Sequence, residues 1–325
     1  MANEVSSLRQ AFNRVDIVGR LEEKNLEKKV SEKGENYISG NLVVGYGENF
    51  ENKVKVQYFS KELKKDSTEV SKIYKGLETV MTEYTSQADA LLNGGVANMV
   101  SIRGSISAFD TTSKKTGEPL TYNTIKANFV ERVEPEDVKE TYVRFSVEMY
   151  LESIDKEIAN DEETGRVKVC GIIPIFNGAV IPATFYTTTD ESRGGNVGKY
   201  ILEHYEVGKT VQVNGDIECH IEHKEYVREG MFGSTTQTFD SITNEYIITD
   251  GVPQPYLSTD PKHFDKKAIK AAMLYRQERL ENSKNETAQS TGFVATEFSK
   301  NAEAVATNDK DFNVGNGFVE EDIDF

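Results

Sequence analysis

Cysteine, histidine and long apolar runs are scarce in this sequence. Cys170 and Cys219 are its only thiols, so a disulfide framework is excluded and a reducing, cytoplasmic setting is expected. No run of about 20 apolar residues is present, so we expect no membrane-spanning helix. Residues 1–6 lack the basic-then-apolar order of a secretory signal peptide, and none is expected.

Recognisable catalytic and metal-binding patterns are also missing. The sequence has only four His, with neither a nucleophile elbow nor a paired-carboxylate motif, so we expect a protein that is not an enzyme and uses no cofactor. Cys219, His220 and His223 lie close together along the chain. Zinc needs four well-placed ligands, and neighbouring residues on a strand point to opposite faces, so no metal site is expected.

The residues that are abundant favour a folded protein with unevenly placed charge. Apolar residues make up 37% of the 325, with 16 Phe and 15 Tyr, enough for about two domains with packed cores. The net charge is −16, but residues 1–132 carry 19 Lys+Arg against 18 Asp+Glu. Residues 141–250 carry 9 against 19, and the last 45 residues carry 3 against 10. The acidic total therefore does not exclude nucleic-acid binding by the first domain.

Alternation of apolar and polar residues predicts five strands in the first half, with one helix between the third and the fourth. The helix is predicted over residues 69–92, where apolar residues recur at helical spacing. Three strands, a helix and two strands is the order of the five-stranded OB barrel. The predicted strands are Arg14–Glu22, Tyr37–Tyr46, Lys53–Ser60, Met99–Phe109 and Thr121–Val133.

The second half repeats this pattern about 110 residues later. Gly104 and Gly215 each lie between apolar strand positions, where a small barrel has to bend sharply. We therefore predict a mainly β protein with two tandem OB-type barrels; one large β-sandwich with an inserted helix is the alternative. The predicted elements are strands Tyr142–Ile154, Arg166–Ile175, Ala179–Thr188, Thr210–Lys224 and Thr238–Asp250, with a helix over 196–205.

Composition divides the chain into four predicted segments. Residues 1–140 form the first barrel and residues 141–250 the second. Three prolines then break any strand, and residues 251–281 are predicted as a linker with a short basic helix over 265–280. Residues 282–325 are rich in Asn, Ala, Thr, Ser and Glu without a sustained period, which predicts a flexible tail with an acidic tip.

A short motif opens the first predicted strand. Residues 13–21 read Asn-Arg-Val-Asp-Ile-Val-Gly-Arg-Leu, and the chain ends in acidic residues before Phe325. With the element order of residues 13–133, this resembles the bacterial and phage single-stranded-DNA-binding proteins. The resemblance implies an OB fold, single-stranded DNA as ligand, and a tip that docks on polymerases, helicases and repair enzymes. The four-barrel assemblies of that family imply a homodimer for a two-barrel chain.

The alternation also separates an inner from an outer set of side chains. The inner set is apolar: Val15, Ile17, Leu21, Ile38, Leu42, Val44, Val54, Val56, Val100, Ile102 and Ile106. Binding a single strand without reading its sequence requires cations for phosphates and aromatic faces for bases. The outer set offers both and is the predicted DNA-binding surface: Arg14, Arg20, Tyr37, Lys53, Lys55, Phe59, Arg103, Phe109, Tyr122 and Lys126. The structural alternative is that aromatics favour half-buried strands and Lys protects strand edges.

The second barrel is predicted to have a different outer surface. Its fourth strand places Gln212, Asn214, Asp216, Glu218 and His220 outward, so we expect it to mediate self-association or to position the first barrel. A predicted loop over 224–238, with Tyr226, Arg228 and Phe232, is a further candidate for DNA contact. The basic helix region adds cations that either bind phosphate or form a solvated face: Lys262, Lys266, Lys267, Lys270, Arg276 and Arg279.

The C-terminal tip mixes acidic and apolar side chains. A mobile peptide with a terminal ring and carboxylate suits an apolar pocket with a basic rim, because the ring fills the pocket and the acids steer it. A simple solubilising tail is the alternative. The predicted partner-binding residues are Phe318, Glu320, Glu321, Asp322, Ile323, Asp324 and Phe325.

Together these features predict a protein of phage origin that coats single-stranded DNA without sequence preference in replication, recombination and repair. One alternative is a structural or adaptor protein whose β-domains bind only protein. Another is a single-strand annealing or recombination mediator. Salt-sensitive binding to oligo(dT) tests the first alternative, and accelerated pairing of complementary strands tests the second.

Overall fold

The structure is a computed structural model that describes residues 8–64, 67–113, 118–193, 195–230 and 233–287. It is a mainly β protein, which confirms the prediction from the alternating pattern, and its ten described strands form one hydrogen-bonded sheet. None of the helices within these ranges has both the length and the apolar character needed to cross a membrane.

Five strands of the first half close into a ring. They are β1 (Asn13–Val30), β2 (Asn36–Tyr46), β3 (Asn52–Lys61), β4 (Met99–Thr112) and β5 (Pro119–Val133). The antiparallel pairs are β1–β2, β2–β3, β4–β5 and β1–β4. The ring is completed by a short parallel contact between β3 and β5, where Val56 lies opposite Ile125.

Apolar side chains fill the interior of this ring. All eleven residues predicted to point inward are at most 1% exposed, from Val15 on β1 to Ile106 on β4. Alternate residues on these strands remain more exposed, as the period of two in a strand requires. The predicted register of the first ring is therefore confirmed for its inner set.

The connection between β3 and β4 contains two helices, α1 (Lys72–Glu83) and α2 (Gln87–Asn93), and not the single helix predicted over 69–92. The backbone turns extended at Tyr84, and Ser86 starts the new helix with a capping box closed by Asp89. Tyr74, Leu77 and Val80 of α1 are buried, whereas α2 has no buried residue. Capping therefore ends the helix where the apolar spacing alone would continue it.

The second half repeats the pairing order. Its strands are β6 (Tyr142–Ala159), β7 (Glu162–Pro174), β8 (Val180–Thr187), β9 (Thr210–Gly230) and β10 (Gly233–Gly251), with α3 (Val197–His204) between β8 and β9. Antiparallel pairs join β6–β7, β7–β8, β9–β10 and β6–β9, and β8 meets β10 in parallel. The loop predicted over 224–238 is wrong, because β9 and β10 stay paired as far as Gly230 and Gly233.

The two halves are joined by antiparallel pairing of β1 with β6. Asn13–Val18 lies alongside Tyr142–Val147, so β4, β1, β6 and β9 form one continuous antiparallel sheet. Within it, Val15 lies between Gly104 and Phe145, and Phe145 lies opposite Gly215. The two glycines thus occupy matching positions on the two sides of the junction, as the internal repeat predicts.

The segment after β10 returns along the second half. Tyr256 N donates to the carbonyl of Thr210 at 2.8 Å, and Phe264 N donates to the Thr210 hydroxyl at 2.8 Å. Helix α4 (Lys266–Thr287) follows and extends beyond the predicted end at residue 280. Ala268, Ile269 and Ala272 are buried, so the first turns of α4 are part of the core.

Replacing Gly215 by Ala tests the close approach of the β10 backbone to Gly215 on β9. A Cβ there would lie 1.8 Å from the Ile247 carbonyl oxygen, whereas a Cβ on Gly76 of α1 would meet nothing within 4 Å. We expect Gly215→Ala to lower the free energy of unfolding by about 1–3 kcal/mol. Gly76→Ala should raise it by up to about 1 kcal/mol, because Ala favours the helix. Urea denaturation of both variants measures the difference, and equal effects would contradict the assignment.

Candidate nucleic-acid interface

Four of the predicted DNA-binding residues lie on the neighbouring strands β4 and β5. Phe109 lies directly opposite Tyr122, and Lys126 lies opposite Ser105, which shares its side of β4 with Arg103 and Phe109. Paired residues on adjacent strands present their side chains on the same face. The strand register therefore brings Arg103, Phe109, Tyr122 and Lys126 onto one surface.

A fifth residue of this surface, Phe129, was missed by the sequence reasoning. It lies opposite Arg103 and is 55% exposed. Strict alternation from Lys126 would place Phe129 inside the ring. Gly104, however, pairs with Ala127 and Arg103 with Phe129, so Asn128 is an extra residue that forms a bulge and turns Phe129 outward. We name the surface formed by Arg103, Phe109, Tyr122, Lys126 and Phe129 the β4–β5 face.

A groove of about 410 Å³ lies on this face, with Arg103, Lys126 and Phe129 in its lining. Asp16 from β1 also lines it, together with Glu131. The charges of the groove are therefore balanced, unlike those of a purely basic surface. Specific pairing between these groups, more than net charge, determines what the groove can bind.

Asp16 holds two arginines at the edge of the groove. Its carboxylate oxygens lie 2.6 Å from Arg14 Nε and 3.5 Å from Arg103 Nε. The hydrogen bond to Asp16 raises the pKa of Arg14. The Arg103 side chain is 73% exposed, and exposed ion pairs of this kind contribute little and are screened by salt. A phosphate group could therefore replace the carboxylate as partner of Arg103.

Lys126 stands in a crowded part of the face although it is exposed to solvent. The surrounding protein atoms lower its pKa by desolvation, and the negative charge of Asp110 opposes this effect. Because the Lys126 side chain reaches water, its ammonium group keeps much of its hydration. Lys126 is thus a cation that an anionic ligand can approach.

The predicted residues on β2 and β3 form a separate and less accessible surface. Tyr37 is only 3% exposed, so the prediction of an exposed ring is wrong for this residue. Its ring packs against Phe59 with 5.6 Å between centroids, and β1 and β3 flank it on both sides. Lys55 is half-buried, and desolvation lowers its pKa. The side chains of Tyr37, Lys55 and Phe59 mainly cover the outside of the first five-strand ring.

Arg20 and Lys53 also have partners within the protein. The Arg20 guanidinium stacks over Phe50 at 4.2 Å, and its Nε lies 2.6 Å from a carboxylate oxygen of Glu22. Lys53 lies beside Cys219 of β9, at the contact between the two rings. Cation–π stacking and ion pairing hold Arg20 on β1, and Lys53 lies on β3, so neither cation belongs to the β4–β5 face.

The outer side of β9 is acidic, and its carboxylates are paired with arginines. Arg193 lies 2.5 Å from Glu218 and 3.3 Å from Asp216, and Arg144 lies 3.8 Å from Asp216. These side chains line a cavity of about 430 Å³ between the rings, together with Cys219, whose pKa is raised by burial. The second ring thus offers a neutralised network, where the first offers exposed aromatic rings beside Arg103 and Lys126.

Glu218, His220 and Glu245 bring three potential metal ligands within 4.8 Å of one another. Both carboxylates, however, already face guanidinium groups. Arg193 lies 2.5 Å from Glu218, and Arg166 lies 2.7 Å from Glu245. Their charge is therefore compensated within the protein, and the cluster extends the ion-pair network of the second ring.

The remaining predicted residues have mixed outcomes. Lys262, Lys266, Lys267 and Lys270 are exposed, but Arg276 of α4 is only 4% exposed, which contradicts both alternatives for it, a phosphate contact and a solvated face. The side chains of Tyr226 and Arg228 and the whole of Phe232 lie outside the described part of the chain. The seven partner-binding residues of the tip, from Phe318 to Phe325, also lie outside it.

A family model described as YorF matches residues 11–286. No curated protein matches the sequence. Among solved structures, the wild-type single-stranded DNA binding protein from Thermus aquaticus is 9% identical, with a TM-score of 0.44 over 78% of this chain and 97% of that chain. A deletion mutant of the same protein is 11% identical, with a TM-score of 0.44 over 78% and 98% of the two chains. A likeness at this level carries no inference about function.

The exposure of Phe129 predicts that it contributes little to stability. Phe129→Ala should change the free energy of unfolding by no more than about 0.5 kcal/mol, as is usual for surface substitutions. Phe185→Ala is the matched comparison, because Phe185 is fully buried and its loss should cost about 3–5 kcal/mol. Urea denaturation of the two variants measures both effects. A large loss for Phe129→Ala would show that the ring is structural.

Proposed function

This chain belongs to the YorF family, and we propose that it binds single-stranded DNA without sequence preference. The observation that carries the proposal is the β4–β5 face, where Arg103 lies opposite Phe129, and Phe109 opposite Tyr122. Aromatic rings stack on any base and contribute about 1–3 kcal/mol each, while cations bind the phosphates between them. Lys126 lies between the two pairs and supplies a second charge.

The exposure of the Phe129 and Tyr122 side chains supports contact with a ligand and not a structural role. Phe129 is 55% exposed and Tyr122 46% exposed, although burying such rings would lower the free energy of the protein. Exposed aromatic rings that share a face with Arg and Lys are typical of surfaces that bind single strands. The half-exposed rings are therefore interpreted as stacking platforms for bases.

The architecture supports the same function. We interpret each five-strand ring as an OB-type barrel, because the third and fifth strands close it in parallel and helices follow the third strand. OB barrels bind oligonucleotides through the face of strands two and three and through two loops, one of which joins strands four and five. The β4–β5 face lies at the base of that loop in the first ring.

We assign different roles to the two rings. Ser105 and Ser107 on β4 correspond, at the repeat spacing, to Asp216 and Glu218 on β9, whose carboxylates already occupy the arginines that could bind phosphate. The second ring positions the first and provides a surface for a homodimer. In the described backbone, residues 217–230 of β9 and residues 233–246 of β10 pair only with each other. Strand edges that lack a pairing strand can pair with another chain.

In the cell, this protein would coat exposed single strands during replication, recombination and repair without using ATP. The acidic tip would recruit replication and repair proteins, because its ring and carboxylates suit a basic-rimmed apolar pocket. This role rests on the sequence of residues 318–325 alone. A cytoplasmic location and a phage origin belong to the same proposal.

Substitutions on the β4–β5 face test the DNA contact directly. Phe129→Ala should weaken binding to labelled oligo(dT) by about 1–3 kcal/mol, because one stacking platform is lost. Lys126→Gln should reduce the slope of log affinity against log salt by about 0.7, because one phosphate contact is lost. Fluorescence anisotropy titrations between 50 mM and 300 mM salt measure both quantities.

Matched controls come from the second ring. Phe176 is 43% exposed, and Lys156 is 57% exposed beside Glu163. Phe176→Ala and Lys156→Gln should bind as the unaltered chain does. If the unaltered chain does not bind oligo(dT) even at low salt, the proposed function is wrong, and a protein-binding adaptor becomes the better interpretation.

Removal of residues 318–325 tests the role of the tip. This segment carries four carboxylate side chains, which can compete with DNA for the cations of the protein. We expect the shortened chain to bind oligo(dT) more tightly at low salt, with the difference disappearing at high salt. Titration of both forms gives the comparison. Identical affinities at low salt would contradict a tip that contacts the DNA-binding surface.

A further inference from the structure

Arg276 of helix α4 forms an ion pair that bridges the two rings. Its Nη2 donates to Asp110 and, at 3.2 Å, to the Thr121 hydroxyl, both in the first ring. Its Nη1 donates to the carbonyl of Val180 on β8 of the second ring, at 3.5 Å. The Arg276 and Asp110 side chains are 5% and 3% exposed. Since loss of one partner would leave a buried, unpaired charge, the pair should be kept together.

The ion pair lies one residue pair away from the aromatic rings of the β4–β5 face. Asp110 lies opposite Thr121, and the Thr121 hydroxyl donates to Asp110 at 2.7 Å. The next pair along the two strands is Phe109 and Tyr122. The orientation of the Phe109 and Tyr122 side chains therefore depends on how the hairpin formed by β4 and β5 is held at Asp110 and Thr121.

A second contact holds the same hairpin against the second ring. Asn123 of β5 donates its side-chain amide to the carbonyl of Pro182 on β8, at 2.8 Å. Asn123 and Arg276 thus fix the hairpin on the same strand of the second ring, but only Arg276 also belongs to α4. The orientation of the hairpin is in this way connected to the docking of the C-terminal helix.

We propose that Arg276 is a positioning residue for DNA binding, which couples the docking of α4 to the orientation of Phe109 and Tyr122. This inference rests on the proposed function. Arg276 touches no DNA itself; it acts through Asp110 and Thr121. Because coupling between two sites is reciprocal, DNA that stacks on the two rings also stabilises α4 in its docked position.

The remaining contacts of α4 make it possible to test this role in a folded protein. Ala268, Ile269 and Ala272 are buried, and the Asp265 carboxylate accepts from the backbone N–H of Lys267 and Ala268 at 2.9 and 3.0 Å. These contacts lie one to three turns before Arg276 and do not involve it. The helix should therefore remain docked when only the guanidinium is changed.

The test uses the full chain with Arg276→Gln and, as control on the same helix, Glu278→Gln at an exposed position. Arg276→Gln should weaken binding to oligo(dT) about tenfold, the loss expected when one stacking contact is impaired. Its salt slope should equal that of the unaltered chain, because no phosphate contact is removed. Glu278→Gln should leave both the affinity and the slope unchanged.

Hydrogen exchange provides a readout that a purely structural role would not change. Addition of oligo(dT) should slow amide exchange over residues 266–282 in the unaltered chain and in Glu278→Gln, but not in Arg276→Gln. If circular dichroism shows that Arg276→Gln is unfolded, Asp110→Asn carries the test, since it removes the charge and retains the shape of the side chain.

Three results would overturn the inference while leaving the proposed function intact: DNA binding by Arg276→Gln and Asp110→Asn equal to that of the unaltered chain, a salt slope reduced as in Lys126→Gln, or exchange over 266–282 that DNA does not affect. Failure of the unaltered chain to bind oligo(dT) would instead reject the proposed function, and the inference with it.

Discussion

The antiparallel pairing of β1 with β6 is the interaction on which the rest of the structure depends. β1 pairs with β4 and β6 through its first residues and with β2 through its later ones, so one strand both closes the first ring and joins it to the second. A ladder of backbone hydrogen bonds determines direction and register together. It thereby places β8 close enough to the β4–β5 hairpin for Asn123 to reach Pro182.

The two rings share their interior requirements and differ in their surfaces. Gly104 and Gly215 occupy matching places because a carbonyl from the neighbouring strand leaves no room for a Cβ at either position. Outside the rings no such constraint acts, and the surfaces differ: exposed aromatics and cations on β4 and β5, paired acids on β9. A duplicated fold can therefore assign contact with a ligand to one copy and support to the other.

The errors of the sequence reasoning have identifiable physical causes. Phe129 was missed because a bulge at Asn128 shifts the alternation by one residue, and nothing in the local pattern indicates the bulge. Tyr37 was predicted to be exposed because alternation shows only to which side of a strand a side chain points. Its burial depends on packing against Phe59 and on the flanking strands. The break between α1 and α2 was readable in principle, since Ser86 and Asp89 have the spacing of a capping box.

The sequence alone determined the mainly β character, the eleven inner residues of the first ring and the internal repeat, because strand alternation and turn residues act over a few positions. Tertiary structure alone decided the closure of the rings, the β1–β6 junction and the partner of Arg276. Arg276 and Asp110 are 166 residues apart, and no spacing in the sequence connects them. One of the six candidate cations in and before this helix therefore belongs to a buried ion pair, because a charge removed from water requires a partner.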